Sequence, residues 1–310
     1  MRRRGDGTRA SSQRAFRNGT EDERIVAATS ARARLDDLVV ARGLAATRAR
    51  ARAMIMAGDV SVDGQPAAKP GQLCRPDCDV ALRTPDHPYV GRGGLKLAGA
   101  LDRFGTEVAG LVCGDIGAST GGFVDCLLKR GASRVFAVDT GNVLDDRVRN
   151  DPRVVYLKNT NARYLKPEHV GCPLDLITVD VSFISVRKII PALMGLLARD
   201  GKMLVLVKPQ FEMDRAWRVR GSRDRKGIVR EPETHRRVLT EIFRFMEESG
   251  LRIEGLCDSP ILGARGNREF FLLASRSGTA TPLANLSDLI DRLLRSPDPT
   301  AMQEGRQYRR

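Results

Sequence analysis

From Leu111 to Ala274 the chain repeats one pattern seven times: a short, nearly unbroken apolar run rich in β-branched residues. The runs are Leu111–Gly117, Arg134–Asp139, Val154–Leu157, Leu174–Asp180, Met203–Lys208, Leu251–Asp258 and Glu269–Ala274. A strand with one wet face alternates apolar and polar residues, whereas a continuous run is buried on both faces. Helical stretches lie between them, at Phe123–Lys129, through Ile189 and Leu196, and at Thr234–Glu248. Strands of this kind with helices on either side predict an α/β domain built on a mostly parallel seven-stranded sheet.

Such sheets bind ligands beyond the carboxyl ends of their strands. The first run ends in Asp115-Ile116-Gly117-Ala118-Ser119-Thr120-Gly121-Gly122 and opens the helix at Phe123. Gly117, Gly121 and Gly122 let backbone come close to a ligand, with Ser119, Thr120 and Phe123 in the same turn. Asp139 closes the second run, 24 residues after Asp115. An acid there holds the ribose hydroxyls of an adenosine cofactor. A dinucleotide would want G-x-G-x-x-G and no acid against its pyrophosphate. Asp115 suits instead the cationic methionyl end of S-adenosyl-L-methionine. Asn159 and Asn161 follow the third run, where an adenine would lie; solvated loop asparagines account for them equally well.

Four more residues carry chemistry. Lys96 precedes the first run, Asp180 and Lys208 end the fourth and fifth, and Glu269 opens the seventh. A ribose hydroxyl becomes a nucleophile when its proton is drawn off. A lysine with a lowered pKa performs that step; desolvation and a second lysine lower it, while carboxylates orient the amines and pull their pKa values back up. No metal is expected: Cys74 and Cys78 lack the second ligand pair of a zinc site. Cys113 and Cys257 read as core residues, and all six cysteines as reduced thiols of a cytoplasmic protein.

The formal charge of +14 (52 Lys and Arg against 38 Asp and Glu) points to a polyanionic partner. Residues 1–60 hold 13 Arg and no Lys against 7 acids, so the excess is uneven. Residues 1–32 read as a basic disordered tail. Within 33–83, Leu35, Leu38 and Val39 share a helical face closed by Gly43, and a second helix runs from Arg48 to Met56, capped by Thr47 and closed by Gly58. Strands follow from Val60, with a turn at Asp63-Gly64. Two helices and a small sheet bearing Arg34, Arg48, Arg50 and Arg52 suit a phosphate-gripping module, with a solvated arginine face as the alternative. Residues 84–90 read as a linker and 91–275 as the catalytic domain. Residues 276–310 read as a polar extension with an amphipathic stretch, Leu286 to Leu294. Trp217, among arginines at 215–220, is suited to stacking on a base or to packing on the surface. No run approaches the ~18 apolar residues of a membrane span.

The pattern of Arg34-Leu35-Asp36, Thr47-Arg48-Ala49-Arg50-Ala51 and Gly58-Asp59-Val60-Ser61-Val62-Asp63-Gly64 resembles the RNA-binding domain named after ribosomal protein S-four. The turn from Asp115 to Phe123, the run Val207-Lys208-Pro209-Gln210-Phe211-Glu212 and the tetrad Lys96, Asp180, Lys208, Glu269 resemble the FtsJ-type ribose methyltransferases. Together, residues 33–275 are similar to the TlyA family. The resemblance implies a Rossmann-like class I methyltransferase domain preceded by a small α+β RNA-binding domain. It further implies S-adenosyl-L-methionine as cofactor and 2′-O-methylation of cytidines in ribosomal RNA or ribosomal subunits, by a monomer or weak oligomer without a membrane. Rival readings are a dehydrogenase on the same fold, a membrane-lytic haemolysin (the family's other label) and a catalytically idle RNA-binding protein. Asp115 and the tetrad speak against the first; no apolar insertion segment supports the second.

Overall fold

The computed structural model describes residues 32–296 apart from 68, 83–86, 214–227, 264–265 and 278–282. The basic tail, the Trp217 segment and part of the expected linker therefore lie outside the described residues.

The N-terminal portion starts with β1 (Ala33–Arg34) and two helices, α1 (Leu35–Ala41) and α2 (Arg48–Ala57). The Thr47 side chain accepts the Arg50 N–H at 3.1 Å, and Gly58 closes α2 in the left-handed region at φ 78°. Strands β2 (Val60–Val62), β3 (Gln65–Pro66), β4 (Leu73–Cys74) and β5 (Val80–Leu82) follow. They form a three-stranded sheet, β3-β2-β5, and a β1–β4 pair. Asp63 and Gly64 both take positive φ, as a two-residue hairpin between twisted strands requires. Leu35, Val39, Ala51, Ile55 and Val60 fill the small core.

Next comes α3 (Gly93–Phe104), where sequence reading assigned no helix. Its first turn is glycine-rich, which hides the start signal, yet Leu97, Ala100 and Leu101 are fully buried on one face. The large sheet uses β6 (Val112–Ile116), β7 (Arg134–Val138), β8 (Val154–Leu157), β9 (Leu174–Val179), β10 (Leu197–Val207), β11 (Arg252–Asp258) and β12 (Phe270–Ser275). Its order is β11-β12-β10-β9-β6-β7-β8, and β12 alone runs against the rest. Helices α4 (Gly122–Lys129), α5 (Asp146–Arg149), α6 (Pro167–Val170), α7 (Ile190–Met194), α8 (Pro209–Glu212), α9 (Pro232–Glu248) and α10 (Leu283–Arg295) complete the domain. The helix expected through Ile189 and Leu196 is only a 3₁₀ turn and the short α7, because Pro191 and Gly195 confine it. Strand β10 starts earlier than expected, at Leu197. The polar extension is not an appendage: Ile290 of α10 is buried in the main core, and the Leu293 carbonyl accepts from Arg268 at 2.7 Å.

Register places the site. Ile116 pairs with Val138 and Val179, Val205 with Val179, and Val207 with Phe270. Asp139 and Asp180 therefore step off one sheet edge at a common level, with Lys208 two residues beyond it. Because β12 is reversed, Glu269 arrives at that same edge from the strand's beginning rather than its end.

The two portions are fastened together. The Asp59 carboxylate meets the Arg92 guanidinium at 2.7 Å, with side chains 11% and 7% exposed. Arg50 pairs with Asp145 at 3.1 Å and also donates to the Val90 carbonyl. The end of the expected linker is tied down as well, by Val90 N–H donating to Asp125 at 2.8 Å and by Lys129 donating to the Pro88 carbonyl. Burial pushes the Asp59 carboxyl above its ordinary value despite Arg92. Asp59→Ala is expected to cost about 3 kcal/mol, by leaving the Arg92 cation buried without its partner. In scanning calorimetry that is a loss of roughly 6–10 °C in Tm. An unchanged Tm would show that the pair is not desolvated.

Candidate active site

Asp115 lies within β6, not at its tip, and is fully buried. One carboxylate oxygen accepts from the Thr178 hydroxyl of β9 at 2.8 Å, and the other has no hydrogen-bond partner among the described residues. Burial pushes this carboxyl up to about 8, helped by the nearby Asp180 and Asp139, with Thr178 opposing. A buried, half-satisfied acid at the point where the strand order reverses is a place for a ligand's donor or cation.

The turn glycines have distinct physical reasons. A Cβ on Gly117 would sit 2.4 Å from the Asp180 carbonyl oxygen, so this glycine lets the turn pass against β9's end. A Cβ on Gly122 would meet the backbone of Gly94 at 2.9 Å and Gly91 at 3.1 Å, so α4 and the start of α3 touch backbone to backbone. Gly121 takes φ 95°. Ser119, a non-glycine at φ 49°, donates its N–H to Asp139 at 2.8 Å, while Gly141 N–H donates to the other Asp139 oxygen at 2.6 Å. The second acid is thereby locked to the first turn. Two of the expected cofactor residues have roles in the fold itself. Phe123 is buried and stacks on Phe271 at 6.1 Å, because the α4 apolar face turns inward. Asn161 caps the 3₁₀ turn Ala162–Tyr164 by accepting the Arg163 N–H at 3.1 Å. Thr120 is buried, and its carbonyl accepts the Asp145 N–H at 3.2 Å.

The tetrad forms two ion pairs. Lys96 of α3 donates to Glu269 at 2.6 Å, and Lys208 meets Asp180 at 2.5 Å. The Lys208 amine also donates to the Ser182 hydroxyl at 2.9 Å. The pairs feel each other: Lys96 favours the charged Asp180, and Glu269 favours the charged Lys208. Burial disfavours the ammonium of Lys208, but Asp180 and Glu269 outweigh it and hold the amine above the ordinary lysine value. The expected lowering of this pKa is thus reversed in the free protein, because the attraction of Asp180 and Glu269 outweighs desolvation. Burial likewise raises the Asp180 carboxyl, but Lys208 and Lys96 overcome it and hold it below its usual range.

Sequence reading missed the loop after β9. Phe183 is 86% exposed at φ 67°, a strained conformation for an aromatic residue, and its ring lies 5.1 Å from Phe211. Buried Glu212 pins this loop, accepting from the Ser185 hydroxyl at 2.5 Å and the Val186 N–H at 2.9 Å. The only signal was their place beside Asp180 and Lys208.

The four arginines chosen for RNA are mostly engaged internally. Arg34 grips Asp36 at 2.8 Å, Arg48 reaches Asp36 and Asp37 at 3.2 and 3.1 Å, and Arg50 faces the catalytic domain. Arg50 therefore ties the two domains together. Arg52 is exposed. Among the described residues no cluster of His, Cys, Asp or Glu could hold a metal ion, and no helix is long and apolar enough to cross a membrane. Cys113 and Cys257 are buried, and burial pushes both thiols up to about 12.

A sheet of this order with its one reversed strand, an acid-bearing glycine turn and a lysine–carboxylate tetrad on one edge defines a class I methyltransferase. The FtsJ-like methyltransferase family matches residues 89–276 and the S4 domain matches residues 33–80. The 16S/23S rRNA (cytidine-2′-O)-methyltransferase TlyA of Mycobacterium tuberculosis is 42% identical over 266 residues, 85% of this chain and 97% of the relative. Hemolysin A of Brachyspira hyodysenteriae is 37% identical over 239 residues, 76% of this chain and 97% of the relative. A solved structure from Streptococcus thermophilus carrying a hemolysin name is 36% identical with a TM-score of 0.65, covering 85% of this chain and 96% of that one. The chain belongs to the FtsJ-like methyltransferases, in the TlyA family that sets an S4 domain ahead of the catalytic domain.

Proposed function

We propose that this chain transfers a methyl group from S-adenosyl-L-methionine to the 2′-hydroxyl of cytidines in ribosomal RNA. The observation that carries the reading is the pairing of two buried lysines with two carboxylates beside an unsatisfied acid, on one edge of the sheet. The donor set fits the cofactor: the free oxygen of Asp115 lacks a donor, and Asp139 stands locked at the next strand end. When bound, S-adenosyl-L-methionine would supply an electrophilic methyl on a cationic sulfonium, and a cation held in this site would lower the Lys208 amine's hold on its proton.

The chain's own residues do the rest. Asp180 and Ser182 hold the Lys208 amine in place. Once neutral, Lys208 accepts the ribose hydroxyl's proton as the oxygen attacks in line. Lys96, held by Glu269, adds positive charge where the alkoxide develops. Exposed Phe183, backed by Phe211, offers a ring face to the unpaired base. The S4 domain, docked through Arg50 and Asp59, guides the RNA with its remaining basic surface. We further read the protein as working in the cytoplasm, where ribosomes are made, as a monomer or weak oligomer and away from membranes.

The direct test is transfer of radiolabelled methyl from S-adenosyl-L-methionine to unmodified ribosomal subunits and to free RNA, followed by mapping. Label on a cytidine ribose is expected; none on either substrate rejects the reading. Phe183→Ala is expected to lower kcat/KM for RNA by roughly 5- to 100-fold, the value of one stacked base. Its Tm should hold, since the ring is exposed and alanine keeps the same Cβ at positive φ. Unchanged RNA kinetics would remove Phe183 from substrate binding.

A further inference from the structure

The Lys96–Glu269 pair is braced by a five-residue segment, Ser259–Gly263, that no part of the proposed chemistry uses. At one end the segment touches the pair's carboxylate. A Cβ on Gly263 would lie 1.9 Å from the Glu269 Oε1 and 2.3 Å from its carboxyl carbon. The Gly263 backbone lies outside the left-handed region, so glycine is needed there for space rather than for conformation. At the other end the segment touches the helix that carries the lysine. A Cβ on Gly99 of α3 would meet Pro260 at 2.8 Å. The segment is itself held rigidly. Ser259 N–H donates to the Glu269 carbonyl at 2.9 Å, and its hydroxyl donates to the Ile261 carbonyl at 2.8 Å. Gly263 N–H donates to the Asn267 carbonyl at 2.8 Å, and the Asn267 side chain accepts the Val229 N–H at 2.9 Å. Ser259 and Asn267 are 1% and 2% exposed.

We propose that Ser259–Gly263 is the positioning element of the tetrad, and that Gly263 is the residue whose missing side chain seats Glu269 against Lys96. The inference rests on the methyltransferase reading above. A carboxylate on a strand end keeps several rotamers. Here a backbone wall on one side and the lysine 2.6 Å away on the other leave one. Pro260 against Gly99 ties the same wall to α3, so amine and carboxylate share one reference surface. Gly263 touches neither reacting atom; it acts through Glu269.

The test is single-turnover methyl transfer by the full chain, with S-adenosyl-L-methionine and ribosomal RNA varied in turn. Gly263→Ala is expected to lower the rate of the chemical step about 100-fold, as misplacing a catalytic group by ~1 Å does. KM for both substrates should stay within about 3-fold, since neither is touched. Gly250→Ala strains a residue at φ 84° with open space around it, and serves as the stability control; it should lose Tm without losing rate. In a Glu269→Ala background the carboxylate that the added methyl displaces is gone, so Gly263→Ala should cost no further activity. Should Gly263→Ala not fold, Pro260→Ala withdraws the brace without adding bulk, and about a 5-fold rate loss is expected, absent again in the Glu269→Ala background. An unchanged rate, a loss confined to KM, or an equal loss in the Glu269→Ala background overturns the proposal. No label with the unaltered protein on any ribosomal RNA is a different result: it removes the methyltransferase reading and this proposal with it.

Discussion

Methyl transfer by the Lys208→Arg protein is expected to fall about 10³-fold, the range removed with a general base, while its fold stays intact. Arginine keeps the cation beside Asp180, so the buried carboxylate is not orphaned, yet a guanidinium does not give up its proton in water or protein. Lys208→Ala should lose as much rate and also stability, because Asp180 is left in a dry site without its partner. The pair of variants separates charge from proton transfer. If Lys208 served only as a fixed cation, arginine would retain most of the activity. The pH profile gives the same distinction by another route. Asp180 and Glu269 hold the Lys208 amine above the ordinary lysine value, so in the free enzyme it stays protonated through neutrality. The neutral, proton-accepting form then grows tenfold per pH unit, and kcat/KM should climb roughly tenfold per unit from pH 7 to pH 9. A flat profile over that interval would show that Lys208 is not the base.

What could be read from the residues alone divides along a physical line. Continuous apolar runs announce buried strands, and the residue that ends such a run announces its place at a ligand edge; Asp139, Asp180 and Lys208 were legible for that reason. Glu269 was legible in kind, but its arrival at the same edge depends on the reversal of β12, which is a property of pairing and not of pattern. The α3 helix was illegible because three of its first seven residues are glycine, and its helical character comes from packing Leu97 and Leu101 against the sheet. Charge was the poorest guide. Arg50 carries the same signal as Arg52 but is consumed by Asp145, a residue some hundred positions away that only folding brings near. The Lys208 pKa failed in the same way: the types of neighbour were right, and the distances that decide which neighbour wins were not in the sequence. Phe183 had no signal beyond its place beside Asp180, because exposure and a positive φ exist only in the folded chain.

Asp115→Asn is expected to stabilise the free protein above neutral pH and to weaken its hold on S-adenosyl-L-methionine. The sign follows from linkage. The folded-state carboxyl sits at about 8 against 3.8 for the ordinary group, so the folded protein binds the proton more tightly than the unfolded chain. Its contribution to stability is complete below pH ~4 and is lost progressively as pH rises through about 8. At about 1.4 kcal/mol per unit the loss at pH 7 is on the order of 4 kcal/mol. Asparagine removes the titration. It keeps the acceptor that Thr178 serves, but places an amide NH₂ where the unpartnered oxygen stood, returning roughly 1–3 kcal/mol. The net at pH 7 is a gain of about 1–3 kcal/mol, or roughly 2–10 °C in Tm, larger at pH 8 and shrinking to nothing or reversing by pH 5. Cofactor affinity should fall about 10- to 150-fold, since a hydrogen bond to a charged group contributes about 1.5–3 kcal/mol. Scanning calorimetry across pH 5–8 tests the first part and titration calorimetry with S-adenosyl-L-methionine the second. Parallel Tm curves for the two proteins would show that Asp115 does not titrate in this range. A stabilised variant with full affinity would mean that the strained acid serves something other than the cofactor. The expected outcome, stability gained and affinity lost together, is the signature of a residue kept at a cost to the fold because the ligand needs it.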